Sequence, residues 1–298
     1  MDAQWDDMKI FLAVARQESL SGAGRVLKLD PATVGRRIAR LEQALQATLF
    51  VKSPQGYALS AAGERLLAHA DQAEQAMRAA AEALSGPSDT LSGQVRIGAP
   101  DGCANYLLPQ VCADISRANP DLDIHIVALP RVVNLSRREA DLAITVSPPS
   151  AGQLLVQKIT DYKLSLVGSK RYLRDQPPLQ QVEDLKQRQV IGYIPDMIFD
   201  SELDYLTQLG VDHVPLASNS VPVQLRLAIH GGGLCMAHDF CLPSHKALTR
   251  VLSDQISLTR SFYLVRHQGD QRSDRLTRLA EALVTGLRDE VARLEGLA

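Results

Sequence analysis

The stretch from Ser19 to Leu45, SLSGAGRVLKLDPATVGRRIARLEQAL, constrains this chain more than any other. It reads as two short helices joined at Lys28 and Leu29 by a connection too short to be anything but a turn, which is helix-turn-helix geometry. Asp30 followed by Pro31 marks the start of the second helix. The carboxylate satisfies free backbone N–H groups, and proline fits the first helical position, where its missing donor is not needed. Val34, Ile38, Leu41 and Leu45 then recur at helical spacing as one apolar stripe, with Thr33, Arg36, Arg37 and Arg40 on the opposite side. Upstream, Ser21 is placed to cap a helix holding Ala23, Val26 and Leu27. One face packs and the other is available to an acidic partner. Any two amphipathic helices with a row of arginines would also make an ordinary solvated surface, so the rest of the chain must decide.

Residues 5 to 17 carry Met8, Phe11, Leu12 and Ala15 at spacings of three and four, a further helix packing beneath that pair. After Leu45 the period changes. Leu49 to Lys52 and Tyr57 to Leu59 are strand-like pieces around Ser53-Pro54-Gln55-Gly56, whose proline and glycine favour a turn. The expected result is a winged helix-turn-helix, with Lys52 and the turn tip at Gln55 near the phosphate backbone, where contacts position a protein without reading sequence. Ser60 then caps a long helix from about Ala61 to Leu84, with Leu66, Ala70, Ala73, Met77 and Leu84 as one narrow apolar seam. A helix of this kind standing between two domains is expected to pair with its counterpart in a second subunit. Ser85, Gly86 and Pro87 stop it.

Beyond that linker, strand and helix patterns alternate. Strands are expected at Val95–Ala99, Leu122–Ala128, Asp141–Val146, Lys163–Val167, Val190–Ile194, Val214–Ala217, Gly233–Ala237 and Phe262–Arg266. Helices are expected at Tyr106–Ile115, Glu202–Leu209, Val223–His230 and Ser273–Leu294. Alternation of this kind predicts a parallel sheet covered on both sides, with ligands at the carboxyl ends of the strands.

At 298 residues and 45% hydrophobic content, the chain is long enough for two or three domains. Its net charge of −2 carries no global nucleic-acid signal. Residues 1 to 60 hold eight Lys and Arg against six Asp and Glu, so any such signal rests on placement, three arginines lying on one helix. No apolar run is long enough to span a bilayer, and the acidic start MDAQWDDMKIF lacks the order of a signal peptide, which predicts a cytoplasmic protein without a membrane partner. Four scattered cysteines suggest neither a disulfide scaffold nor zinc, and no metal or cofactor is expected. No GxSxG, HExxH or P-loop is present and Gly231-Gly232-Gly233 lacks the spacing of a nucleotide fingerprint, so an enzyme is not expected.

The chain resembles the LysR-type transcriptional regulators of bacteria. The resemblance is carried by Phe11, Ala13-Val14-Ala15, Glu18-Ser19-Leu20, Ala23, Leu27, Thr33-Val34, Arg37-Ile38, Leu41-Glu42, Leu45, Leu49-Phe50, Leu59 and Ala62-Gly63, in order and spacing. A looser match continues through Val95 to Gly98, Leu108-Pro109, Asn119-Pro120, Ala140 to Ile144, Gly231 to Leu234 and Tyr263 to Val265. Departures are Gly22 and Gly24 for alanine, each worth about 1 kcal/mol of helix propensity, Gly35 for serine, Lys52 for arginine, and Gln46 for the glycine that usually ends the recognition helix.

The resemblance implies an α/β protein with an all-α, winged N-terminal part. The expected divisions are a DNA-binding domain at 1–60, a linker and dimerisation helix with its hinge at 61–88, and a two-lobed effector domain like a periplasmic binding protein at 89–298. Lobe I would comprise 89–161 and 267–298, lobe II 162–266, with crossings near Thr160–Lys163 and Arg266–Gln268. The implied function is a regulator that binds double-stranded promoter DNA as a homodimer or tetramer and answers to a small-molecule co-inducer. Candidate DNA contacts are Ser21, Ala32, Thr33, Arg36, Arg37, Arg40, Lys52 and Gln55. By position, the cleft is expected at Pro100, Asp101, Gly102, Cys103, Thr145, Ser147, Asp196, Met197, Asn219 and Ser220. One alternative is a redox-sensing regulator of the same architecture using Cys103 and Cys112, although bridging them would unravel a helix. A solute-binding protein would leave residues 1–60 unexplained.

Overall fold

The computed structural model describes residues 4–53, 56–84, 90–128, 140–149, 154–211 and 213–298. The chain divides into two compact units, one built on residues 1–88 and one on most of the remainder.

In the first unit, helices α1 (Trp5–Gln17), α2 (Leu20–Leu27) and α3 (Pro31–Leu45) precede a hairpin of β1 (Phe50–Ser53) and β2 (Gly56–Leu59) and the long helix α4 (Ala61–Leu84). Phe11, Leu12, Val14, Ala23, Val34, Leu41 and Leu49 are almost wholly buried together, so the apolar stripe of α3 meets α1 as its spacing requires. Asp30 caps α3 by accepting from the Ala32 N–H at 2.8 Å. The cap of α2 is Ser19, which accepts from Gly22 N–H at 3.2 Å; Ser21, expected in that role, lies exposed inside the first turn. An N-cap needs extended backbone, and Ser19 has it at φ −155° and ψ 133°.

Gly24 is a packing necessity and not only a propensity loss, because a Cβ there would lie 2.6 Å from the Leu29 carbonyl oxygen. Helices α1, α2 and α3 each end on a non-glycine residue in the left-handed region, Glu18, Lys28 and Gln46. In the hairpin, Phe50 pairs with Leu59, and Gly56 at φ 132° brings its Cα against the Glu18 carbonyl, where a Cβ would lie at 2.4 Å. The Glu42 carboxylate of α3 accepts from the Leu49 and Phe50 N–H groups, tying the hairpin to the helix. Ser60 caps α4 through Gly63 N–H at 3.0 Å, and Arg16 on α1 binds Asp71 and Glu74 of α4 at 2.7 and 2.8 Å. Of the expected seam, Ala70 is buried in this core, whereas Met77 stands 52% exposed.

The second unit runs β3 (Gly93–Ala99), α5 (Asp101–Tyr106), α6 (Leu108–Ala118), β4 (Leu122–Ala128), β5 (Leu142–Thr145), β6 (Leu154–Ser169), α7 (Lys170–Arg174), β7 (Val190–Gly192), β8 (Leu216–Ala217), α8 (Val221–Ile229), β9 (Leu234–His238), β10 (Leu248–Arg250), β11 (Leu258–His267) and α9 (Asp274–Glu295). The sheet order is β4-β3-β5-β11-β6-β9-β7-β8, with β10 also on β6. The expected parallel sheet is in fact mixed. β3 pairs in parallel with β4 and β5, and β7 with β8 and β9, but β11 and β6 run antiparallel to their neighbours. Alternating elements cannot reveal this, since the two long strands join the parallel groups instead of extending either.

Two expected helices differ. Tyr106–Ile115 is broken at Leu107 into α5 and α6, with Pro109 in the first turn of α6, where proline needs no donor. Glu202–Leu209 is not an α-helix but two single 3-10 turns, Ser201–Leu203 and Thr207–Leu209. Asp200 accepts from Glu202 N–H and Asp204 from Thr207 N–H, and such local side-chain bonds compete with the helical ladder.

Strands β6 and β11 run together through both halves of the sheet. Leu164–His238 pairing places the end of β6 beside β9, while Tyr263–Arg266 pairs with Leu142–Thr145 of β5. The pairing of β6 with β11 shifts register between Phe262 and Tyr263. Ile159 is the extra residue of this bulge, and Arg288 of α9 donates to its carbonyl at 3.2 and 3.3 Å. Beside it Tyr162 and Phe262 stack at 4.1 Å between ring centres.

Candidate nucleic-acid interface and effector cleft

Helix α3 presents its three arginines in two environments and not as one uniform row. Arg36 is exposed and donates to Thr33 Oγ1 at 3.0 Å, on the face opposite the buried stripe. Arg37 and Arg40 both reach the Asp7 carboxylate of α1. Arg37 Nε lies 2.7 Å from Oδ1, and Arg40 supplies Nε to Oδ2 at 2.7 Å and Nη2 to Oδ1 at 2.6 Å. Hydrogen bonds from Arg40, seconded by Arg37, hold the Asp7 carboxyl below the usual carboxylate range against the opposing effect of burial. Arg37 stays 28% and Arg40 52% exposed, so both guanidinium groups keep donors at the surface while their orientation is fixed. Ala32 and Ser21 are exposed and Thr33 half-buried around the start of α3. Lys52 lies on β1, and neither its side chain nor Gln55 falls within the described residues. Asp7 is the component that spacing arguments miss; its only sequence signal is an acid in the first turn of a helix otherwise apolar on its packed face.

In the second unit, the residues expected at the cleft form two direct links between the halves of the sheet. Asp101, first residue of α5, accepts the Val221 N–H at 2.7 Å through Oδ2 and Asn105 Nδ2 at 2.9 Å through Oδ1. Val221 begins α8, whose preceding residue Ser220 makes no side-chain cap, so Asp101 caps α8 from the other half of the sheet. Ser147 Oγ donates to Asp200 Oδ2, and Thr145 Oγ1 donates to the Ser147 carbonyl at 2.7 Å. Asp200 is a second residue that sequence reasoning overlooked.

The remaining candidates divide. Asn219 and Ser220 are half-buried beside the Asp101 link, and Ser220 N–H is held by Ser218 Oγ. Pro100 is half-buried, and Asp196 and Met197 are exposed on the Pro195–Met197 turn. Gly102 and Cys103 are buried: a Cβ on Gly102 would lie 3.1 Å from the His238 ring, and Cys103 belongs to the main core. That ring is fully enclosed, near Tyr162 and Phe240, and burial lowers its pKa to about 4. All four cysteines are free thiols and buried, and burial pushes Cys112 up to about 11 and Cys235 to about 12. Burial of this kind favours the protonated thiol over the nucleophilic thiolate. Among the described residues no helix is long and apolar enough to cross a membrane, and no group of His, Cys, Asp and Glu could hold a metal ion.

Comparison with known proteins matches both units. Residues 5–64 fit the profile of the bacterial regulatory helix-turn-helix protein, lysR family, and residues 88–288 that of the LysR substrate binding domain. The regulator GltR of Bacillus subtilis is 25% identical over 288 residues, covering 95% of each chain. Among solved structures, full-length AphB, the virulence activator of Vibrio cholerae, superposes with TM-score 0.58 at 23% identity over 95% of this chain and 99% of that one. A full-length OxyR variant from Pseudomonas aeruginosa reaches TM-score 0.76 at 16% identity over 97% and 95%. The two structural likenesses speak to the fold alone.

Proposed function

The chain belongs to the LysR family of DNA-binding transcriptional regulators, and on that premise we propose that it binds double-stranded promoter DNA through α3 and answers to a small molecule held between the lobes of residues 89–298. The observation that carries the first half is the face of α3. Arg36 is exposed, and Arg37 and Arg40 are preset by Asp7, so the helix approaches a groove with its donors already ordered. Thr33, Ala32 and Ser21 complete the approaching surface, and Lys52 and Gln55 are assigned further contacts with the phosphate backbone. The second half rests on the Asp101–Val221 and Ser147–Asp200 links. A ligand that competes for these groups, with Asn219 and Ser220 alongside, changes the balance between joined and parted lobes.

The reading continues to the assembly. Residues 61–88 pair two copies, the exposed Met77 on α4 being an apolar side chain awaiting cover, and the sensor domains associate dimers into a tetramer. The protein acts in the cytoplasm, where promoter DNA lies. The test is to sequence genomic fragments retained by the full chain and then measure the strongest by gel shift against the Arg36→Ala variant. Sequence-selective retention, with binding weakened roughly tenfold by the variant, is expected. Retention without sequence preference would overturn the reading, and light scattering of the same preparation reads the assembly.

A further inference from the structure

The second lobe contains a cavity of about 330 Å³ that none of the lobe I cleft residues touches. Its apolar wall comes from Ile191, Tyr193, Ile198, Leu206, Val214 and Met236. Its polar groups are Asp204, Thr207, Gln224 and the hydroxyl-bearing rings of Tyr193 and Tyr205. Among these lining residues Asp204 alone carries a formal charge. The nearby Arg260 is no counterweight: its guanidinium carbon lies 5.9 Å from the Tyr205 ring centre, and its Nε is taken by Glu202 Oε2 at 2.7 Å. Gln224 donates its amide N–H to the Ser218 carbonyl at 2.7 Å, which leaves its oxygen as an acceptor. Among the described residues no cationic side chain lines the cavity, so an anion entering here would lose its hydration without meeting a positive charge.

We propose that this cavity is a second small-molecule site, selective for a neutral or cationic ring compound bearing an N–H or O–H donor, and closed to carboxylates and phosphates. An apolar cavity of about 150 Å³ accepts benzene, so the space suits about two fused rings, and it lies at the low end of ordinary ligand pockets. Occupancy reaches the cleft directly. Ile198 lines the cavity, and Asp200 on the same loop accepts the hydrogen bond of Ser147. A ligand that props this loop shifts the link between the lobes. That coupling rests on the cleft reading above, whereas binding itself does not.

The test is calorimetric titration of the full chain with indole, tryptamine and indole-3-carboxylate, three probes sharing one ring system. Indole and tryptamine are expected to bind, with the carboxylate at least about tenfold weaker. Val214→Phe, which fills the space, is expected to weaken both by more than about tenfold, and Asp204→Asn to weaken tryptamine more than indole. If circular dichroism shows Val214→Phe unfolded, Ile198→Trp takes its place. Equal or tighter binding of the carboxylate, no binding by any probe, or no effect of filling the space would overturn the proposal. None of these outcomes bears on DNA binding, so the proposed function stands or falls separately.

Discussion

Asp7 and Arg40 grip each other through two hydrogen bonds, Nε to Oδ2 at 2.7 Å and Nη2 to Oδ1 at 2.6 Å, with the Asp7 side chain only 3% exposed. A carboxylate withdrawn from water requires such donors, and here they come from α3, the second helix of the helix-turn-helix. Asp7→Ala is expected to lower the stability of the DNA-binding head by about 2 kcal/mol, measured by urea denaturation. The bonds favour the ionised form, so the folded pKa lies below the ordinary 3.8 and this stabilisation is complete above that value. It is lost as the pH falls through the folded value, and Asp7→Asn should flatten that acid limb. An Asp7→Ala protein as stable as its parent would show that the clamp contributes nothing.

Arg36 and Arg37 are neighbours with different duties. Arg36→Ala removes an exposed donor and should weaken DNA binding while leaving the melting curve unchanged. Arg37→Ala also strips a donor from buried Asp7 and should lower both affinity and melting temperature. Identical melting curves for the two variants would contradict this division.

The Asp101–Val221 bond caps α8 from the other half of the sheet. Removing the acceptor with Asp101→Ala should expose the Val221 amide and raise its hydrogen-exchange rate, with a stability loss of about 1 kcal/mol. Exchange by mass spectrometry over the segment 218–224 reads it, and unchanged protection counts against the link.

His238 is neutral in the folded protein, its pKa lowered by burial from 6.5 to about 4. The unfolded chain takes up a proton below 6.5 while the folded one does not, so stability falls as the pH drops from 6.5 towards 4. At pH 5 the loss attributable to this group is about 2 kcal/mol relative to pH 7. His238→Phe keeps an aromatic ring beside Tyr162 and Phe240 and should abolish that part of the slope. Denaturation of parent and variant at both pH values decides, and parallel losses would refute the assignment.

Local signals and distant ones were not equally readable. Asp30-Pro31, Ser60 and the Val34–Leu45 stripe act within a turn or two of their own positions, and each sits where its chemistry requires. Ser19 and Ser21 are both serviceable caps by composition, and only the backbone of Ser19 distinguishes them. Leu203, Leu206 and Leu209 mimic a helical face, yet Asp200 and Asp204 divert the chain into separate turns. The Asp7 clamp and the Ser147–Asp200 link join residues far apart in sequence, so no spacing rule reaches them. Sheet direction was hidden for the same reason, since β6 and β11 find each other across most of the effector domain.

The pairing of β6 with β11 has a mechanical meaning. The two halves of the sheet share one hydrogen-bonded ribbon with a single irregularity at Ile159, held by Arg288. Such a ribbon resists bending within its ladder but yields to added twist. Twist about the strand axis, taken up at the Ile159 bulge, is therefore the deformation that costs this ribbon least.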